Sequence, residues 1–161
     1  MIVVSDTSAI RALANLGRLE LLHVMFGAVL VPPAVATELE HPTRPDLGVL
    51  RVDAHPFMSV RAPANIEYVR RLEKELDPGE SEAIALAIET RADVLLIDEA
   101  QGRTFAVGLG LHCLGVFGIL LRAKSRGLVA QVLPLADRLQ HEFGFFVSPR
   151  LRETVRRLAG E

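Results

Sequence analysis

Residues 76–99, LDPGESEAIALAIETRADVLLIDE, constrain the fold more than any other stretch of the chain, because they encode a helix followed by a buried strand. Asp77 suits the N-cap position and Pro78 the first helical position, while Glu80 follows the cap by three residues and completes a capping-box pattern. Apolar residues recur at helical spacing over residues 83–88, and a short apolar run typical of a strand follows after a turn. This order predicts an α/β fold.

Four acidic residues are expected at one edge of the predicted sheet. In a parallel α/β sheet a crossover helix begins at the edge where the following strand ends, so Glu82 and Asp98 should meet there. Asp6 ends the first predicted strand, and Glu38 lies in the second turn of its helix, as Glu82 does in its own. Because helical side chains tilt toward the N-terminus, both glutamates can return to the edge. Open α/β sheets bind their ligands at this position.

Carboxylates gathered in this way repel one another and raise their own pKa values, so at neutral pH they favour a bound divalent cation. An all-oxygen set of ligands suits Mg²⁺ or Mn²⁺. Taken singly, each acid also has a structural explanation, as a helix cap or as a partner of the helix macrodipole. The capping-box position accounts for Glu80 best, and we therefore rank Glu80 below Glu82 as a metal ligand.

Length and composition indicate one domain over residues 1–161, with a helical extension at about residues 128–161. Half of the 161 residues are apolar, which is enough for one substantial core. The single cysteine, Cys113, excludes a disulfide framework and a cysteine-based metal site, and it fits a reducing cytoplasm. Residues 105–121 carry no formal charge, but they hold four glycines and fall short of a membrane span. No secretory signal is expected at the N-terminus.

Positive charge concentrates in the last part of the chain. Residues 121–161 hold 8 Lys and Arg against 4 Asp and Glu, although the whole chain has a net charge of −2. This pattern is typical of a solvated terminal helix in which Glu153 pairs with Arg157. The alternative is a contact with nucleic acid.

The remaining patterns add strands on both sides of the central stretch. Short apolar runs predict strands at residues 2–4, 28–31 and 111–116, and residues 145–147 predict a last edge strand. Four prolines, including Pro45, predict an irregular loop with short helical or extended pieces over residues 41–65.

The ordered motifs resemble the PIN-domain family, including the VapC toxin ribonucleases. They are Asp6 with Thr7 and Ser8 at the strand end, VPPAVATEL with Glu38, GESEAIALA with Glu82, and LLIDE with Asp98. The segment GVFGILLRAKSRGL resembles a particular PIN-like subgroup of bacteria and archaea, and the likeness covers about residues 1–150. The resemblance implies a three-layer α/β/α sandwich with a central parallel sheet, Mg²⁺- or Mn²⁺-dependent ribonuclease activity and often a homodimer.

Carried over to this chain, the resemblance implies a metal site of Asp6, Glu38, Glu82 and Asp98. Many members of the family have aspartate where Glu82 stands. Glu99 adjoins this set as a further ligand or as a group that supports Asp98. Thr7 or Ser8 would help to hold the metal or its waters, and Glu80 would support the site. Arg103 or Lys124 could neutralise a substrate phosphate.

We therefore predict metal-assisted hydrolysis of RNA phosphodiester bonds by the toxin of a toxin–antitoxin pair, with RNA as substrate and an antitoxin protein as partner. One alternative is an aspartyl phosphatase that uses Asp6, although such sites want a second aspartate two residues on, where this chain has Ser8. Another is a non-catalytic module on the same fold that binds nucleic acid or regulates a partner.

Overall fold

The central sheet of the molecule, a computed structural model, contains five short strands among the described residues, 1–44 and 47–161. They are β1 (Val3–Ser5), β2 (Val29–Val31), β3 (Met58–Val60), β4 (Val94–Leu96) and β5 (Cys113–Leu114). Their order is β3-β2-β1-β4-β5, and all neighbouring pairs are parallel. Pro45 of the predicted loop lies outside the described residues.

Helices cover both faces of this sheet, as a parallel sheet requires. They are α1 (Thr7–Asn15), α2 (Glu20–Phe26), α3 (Pro33–Glu40), α4 (Ile66–Leu72), α5 (Pro78–Thr90), α6 (Ala100–Gly108), α7 (Val116–Ser125), α8 (Leu133–Phe143) and α9 (Pro149–Ala159), with a 3₁₀ turn at Val52–Ala54. The architecture is the predicted three-layer α/β/α sandwich.

The two faces of the sheet contribute to two separate apolar cores. Val3 and Leu96 pack into the larger core with residues of α1, α2, α3, α7, α8 and α9. Val4 and Leu95 point the opposite way, into a smaller core formed with α4, α5 and α6. This division follows from the alternation of side chains along a strand. The strand residues fill the two cores, so the positions just after the carboxyl ends of β1 and β4 can carry polar residues.

The predicted edge strand at residues 145–147 is wrong, because this segment joins the helical layer instead of the sheet. The ring of Phe145 meets that of Phe117 edge-on, with centroids 5.8 Å apart, and Val147 is buried in the larger core. Contact with α7 therefore produces the alternating pattern. The edge strands are β5 and β3, and β3 lies inside the irregular loop, where pairing with β2 orders three residues.

The C-terminal helices are attached to the sandwich through a partly buried polar contact. The Glu161 carboxylate accepts hydrogen bonds from the backbone N–H groups of Val132 and Leu133, at 2.7 and 2.9 Å, and from the Lys124 ammonium at 2.8 Å. On the exposed face of α9, Glu153 pairs with Arg156 instead of the expected Arg157.

The Glu161 contact ties α9 to α7 and to the start of α8. Among the described residues, every helix is too short or too polar to span a lipid bilayer.

Candidate active site

Asp6 and Asp98 follow neighbouring strands and lie at the same edge of the sheet. Ser5 of β1 is paired with Leu96 of β4, and the Asp6 N–H donates to the Leu96 carbonyl at 2.9 Å. The strands on either side of this pair belong to different halves of the chain, so the edge is a topological switch point. Such points form a crevice in open α/β sheets.

Asp6 is the most deeply buried of the acids at this edge. Asp6 is the N-cap residue of α1, although its side chain makes no capping hydrogen bond, and only 3% of the residue is exposed. Burial, together with the neighbouring charges of Asp77, Glu80 and Glu38 and against a hydrogen bond from the Thr7 N–H, raises the pKa of its carboxyl to about 8. A carboxylate in these surroundings is unstable at neutral pH unless a cation compensates it.

Glu38 reaches the same edge from α3 and is fixed by two helices. The Thr7 hydroxyl donates to Glu38 Oε2, and the Gly79 N–H in the first turn of α5 donates to the carboxylate as well. A Cβ atom on Gly79 would lie only 2.6 Å from Glu38 Oε1, so glycine permits this approach. Burial nevertheless raises the pKa of Glu38, with further contributions from Asp77 and Glu82.

Glu80 belongs to the same electrostatic cluster, and it also forms the predicted capping box. Its N–H donates to Asp77 Oδ1 at 2.8 Å, and its carboxylate accepts a hydrogen bond from the Asp77 backbone. Only 6% of the residue is exposed. Burial raises the pKa of Glu80 to about 7, with contributions from the charges of Asp77, Glu99 and Glu38.

Asp98 is held at the start of α7. Both of its carboxylate oxygens accept a hydrogen bond from the Val116 N–H, at 3.0 and 3.1 Å. Burial raises the pKa of Asp98 to about 6, while this hydrogen bond and the charge of Arg103 lower it and Glu99 raises it. Gly115 lies against the Asp98 carboxylate, where a Cβ atom would collide with it.

The structure does not bring Glu82 to this cluster. Its carboxylate accepts a hydrogen bond from the Ala34 N–H at 2.9 Å, in the first turn of α3. It lines a separate cavity of about 420 Å³ together with residues of α4, including Arg70 and Glu73. Glu82 raises the pKa of Glu38 through its charge, whereas the charges that act most on Asp6 are those of Asp77, Glu80 and Glu38.

A cavity of about 1020 Å³, here called the edge cavity, opens over Asp6, Glu38 and Asp98, whereas Glu80 lies behind its lining. Its polar lining includes the acids Asp6, Glu38, Asp77, Asp98 and Glu99, the cations Arg11, Arg44 and Arg103, and the hydroxyl residues Thr7 and Ser8. The Ser8 hydroxyl is buried and has no hydrogen-bond partner within the described part of the chain. The sequence predicts Asp77 only as a helix cap. Because Asp77 and Gly79 lie at the start of α5, Asp77 also reaches this edge.

The two predicted phosphate-binding cations lie in different surroundings. Arg103 lines the edge cavity and acts electrostatically on Asp98. The Lys124 ammonium instead donates to the Ala159 carbonyl at 2.7 Å and to Glu161. Lys124 is absent from the lining of the edge cavity, and its position makes it a structural residue of the C-terminal helices.

The donors of the edge cavity match a hard divalent cation in chemistry, because they are carboxylate and hydroxyl oxygens. Asp6 is buried with a raised pKa, and the unpartnered Ser8 hydroxyl lies two residues away. In residues 1–44 and 47–161, no group of three or more His, Cys, Asp or Glu side chains already has the spacing of a metal site. The acids are close enough to raise one another's pKa values, but their side chains are not yet arranged as the ligands of one metal ion.

Comparison with known families points to one assignment. A family model described as PIN domain matches residues 2–161, which include every acid of the edge cavity. PIN domains are generally nucleases that act on nucleic acid and use divalent metals. No curated protein matches the chain at a significant level.

Proposed function

This chain belongs to the PIN-domain family, as the match over residues 2–161 shows, and we propose that it is a Mg²⁺- or Mn²⁺-dependent endoribonuclease. The proposed reaction is hydrolysis of RNA phosphodiester bonds in the edge cavity. Membership of the family supports the class of reaction, and the acids that line the edge cavity support this cavity as the place where the reaction occurs. We further propose a cytoplasmic toxin of the VapC type that forms a homodimer and is neutralised by an antitoxin protein, on the resemblance of its ordered motifs.

The observation that carries the proposal is the environment of Asp6. Burial and the charges of three other acids, Asp77, Glu80 and Glu38, together raise the pKa of the Asp6 carboxyl group to about 8. Such a cluster costs folding free energy, since each charge is desolvated and close to like charges. A bound divalent cation would offset this cost, and a role in binding such a cation is a physical reason for the protein to retain the cluster.

Asp6, Glu38 and Asp98 line the edge cavity and are the proposed ligands. We propose Glu80 as the fourth acid in place of Glu82, because the charge of Glu80 raises the pKa of Asp6, and the charge of Glu38 raises the pKa of Glu80. A divalent cation, when bound, would activate a water molecule and neutralise charge on the phosphate.

Residues around the acids are proposed to orient them and to bind the substrate. The Thr7 hydroxyl holds Glu38, and the Val116 N–H holds Asp98. Ser8 offers its unpartnered hydroxyl to the cation or to one of its waters, and Glu99 supports Asp98 as a second charge. Arg103 can bind a phosphate oxygen beside Asp98.

The direct test is cleavage of a panel of single-stranded and structured RNAs by purified protein with Mg²⁺, with Mn²⁺ and with chelator. Metal-dependent internal cleavage that is lost in Asp6→Asn supports the proposal. Cleavage that persists unchanged in chelator would contradict it, because the acids would then have no cation to hold.

A non-catalytic nucleic-acid-binding module is the second candidate, favoured by the spacing of the acids. Within the described residues they do not already form a metal site. RNA binding without metal-dependent turnover, on the same panel, would point to this function. The aspartyl phosphatase is not retained, since Ser8 stands where its second aspartate is needed.

A further inference from the structure

One wall of the edge cavity is apolar and aromatic, and the proposed reaction does not use it. The wall comes from α8, from the segment that follows it and from α9, and it includes Phe143, Phe146, Leu151 and Leu158. Phe146 is 81% exposed, the most exposed large apolar side chain among the described residues. An aromatic ring open to water in the same cavity as a cluster of acids is a candidate surface for ligand binding.

The local backbone holds Phe146 in this exposed position. Gly144 adopts a left-handed conformation, with φ of 68°, and ends α8. The chain then places Phe145 against Phe117 and buries Val147 in the larger core. Because Phe146 lies between two inward-facing neighbours, it faces solvent. Packing on both sides therefore presents the ring in a fixed place.

Positive charge accompanies the ring in the edge cavity. Arg11, Arg44 and Arg103 all line it. A Cβ atom on Gly144 would lie 3.5 Å from Arg44 Nη1, so this guanidinium lies beside the turn that leads to Phe146. Arg11 keeps its charge while donating to the backbone carbonyls of Leu39 and Gly48. Guanidinium groups and an exposed aromatic ring are the two elements of surfaces that bind single-stranded nucleic acid.

We propose that Phe146 stacks on a base of single-stranded RNA bound in the edge cavity, with Arg44 close to the adjoining phosphate. This inference rests on the proposed function, which puts the scissile phosphate at Asp6 and Asp98. A paired base has no free face for Phe146, so a single strand is required. The competing occupant is an apolar segment of a partner protein. Five acids also line the cavity, but the cation of the proposed function would offset their charge, and the three guanidinium groups then favour a polyanion.

Binding separates these occupants without relying on cleavage. A 12-nucleotide single-stranded RNA of mixed sequence, labelled with a fluorophore, is titrated with the full chain carrying Asp6→Asn, and anisotropy gives Kd. Phe146→Ala, Phe146→Leu and Phe146→Trp are added to that background. Val107→Ala is the matched control, because Val107 is an exposed apolar residue that is absent from the lining of the edge cavity.

Stacking predicts that Phe146→Ala raises Kd by about 5- to 150-fold and that Phe146→Trp keeps or lowers it. Phe146→Leu should behave like Phe146→Ala, and the blunt duplex of the same sequence should bind weakly to every variant. An unchanged Kd in Phe146→Ala overturns the inference, and so does full binding by Phe146→Leu, which would indicate a general apolar contact. Absence of RNA binding before any change at Phe146 also overturns it.

Kinetics distinguish failure of this inference from failure of the proposed function. In a cleaving background, loss of stacking should raise KM while kcat is largely retained, whereas Asp6→Asn removes kcat. Cleavage with a KM that is insensitive to Phe146 would leave the nuclease standing and remove the stacking residue. If binding depends on an aromatic side chain at position 146 but the unmodified chain does not cleave RNA, the stacking residue stands and the proposed nuclease activity is removed.

Discussion

The carboxylate of Glu82 accepts a hydrogen bond from the Ala34 N–H at 2.9 Å, in the first turn of α3. Glu38, which α3 carries, accepts one in turn from Gly79 in the first turn of α5, the helix of Glu82. Each helix thus supplies an acid to the positive end of the other's macrodipole. The exchange fixes the position of Glu38 at the edge cavity, and it assigns Glu82 to the interface between the helices.

Asp6→Asn is expected to abolish metal-dependent RNA cleavage and to leave a folded protein. Without metal, the variant should be more stable than the unmodified chain at pH 8, because a buried carboxyl with a pKa of about 8 no longer loses its proton there. Cleavage assays and urea unfolding with chelator measure the two effects.

The control for Asp6→Asn is Asp53→Asn, which changes an exposed acid paired with Arg51. It should change stability little, because exposed ion pairs contribute little, and it should leave cleavage intact. Wild-type cleavage by Asp6→Asn would remove Asp6 from the mechanism.

The metal-free protein should lose stability as pH rises from about 4 to about 8. The pKa values of Asp6, Glu80 and Asp98 are raised in the folded state to about 8, 7 and 6. Between the unfolded and folded pKa values the native state binds more protons, so the free energy of unfolding falls with pH. Urea unfolding at pH 5 and pH 8 with chelator measures this trend.

A divalent cation should offset that loss above pH 7. A cation that binds only the native state adds about 2.7 kcal/mol at 100 times its Kd. The pH dependence should be shallower in Asp6→Asn, since that variant lacks the acid with the largest shift. Stability of the metal-free protein that increases from pH 5 to pH 8 would contradict the description of these acids as buried and uncompensated.

Glu161→Gln should destabilise the fold by about 1 to 3 kcal/mol, because the Glu161 carboxylate accepts two backbone N–H groups and the Lys124 ammonium. Burial acts to raise the pKa of Glu161, but these hydrogen bonds lower it to about 2. The stabilisation is therefore present above the ordinary glutamate pKa and is lost as pH falls toward 2. Urea unfolding at pH 7 measures the change.

Glu153→Gln is the matched control for this variant. It removes an exposed acid of the same helical region, which pairs with Arg156. Exposed ion pairs contribute little, so Glu153→Gln should change the free energy of unfolding much less than Glu161→Gln does. Equal losses in the two variants would show that the Glu161 contact is no stronger than a surface pair.

The sequence alone predicts those parts of the site that depend on local structure. The capping box is confirmed by the hydrogen bond from the Glu80 N–H to Asp77. The shared edge of Asp6 and Asp98 follows from strand ends and is also confirmed. The sequence does not distinguish strand β3 from the irregular loop around it. Three residues between prolines become a strand only through pairing with β2.

The choice between Glu80 and Glu82 could not be made from the sequence. Two residues apart on a helix, their side chains point about 200° apart around its axis. The hydrophobic pattern does not decide which direction leads to Asp6, because α5 is buried on most of its surface, including Glu80 and Ser81. Only the packing of α5 against α3 directs Glu82 to Ala34.

The final prediction tests this division between the two glutamates. Glu80→Gln should reduce the stabilisation by Mg²⁺ or Mn²⁺ and the rate of RNA cleavage together, because it removes a charge that acts on Asp6. Without metal it should be no less stable at pH 8, since glutamine can keep the capping-box hydrogen bond and the pKa of Glu80 is raised to about 7. Thermal melts with and without metal give both quantities.

Glu82→Gln provides the matched comparison, with the same chemical change two residues away. Its amide oxygen can still accept from the Ala34 N–H, but the charge at the start of α3 is lost, which should cost about 0.3 to 1 kcal/mol without metal. The stabilisation by metal should remain close to that of the unmodified chain, because Glu82 faces Ala34 and does not line the edge cavity. If the metal effect instead disappears in Glu82→Gln and survives in Glu80→Gln, Glu82 is the ligand and its contact with Ala34 must open when the cation binds.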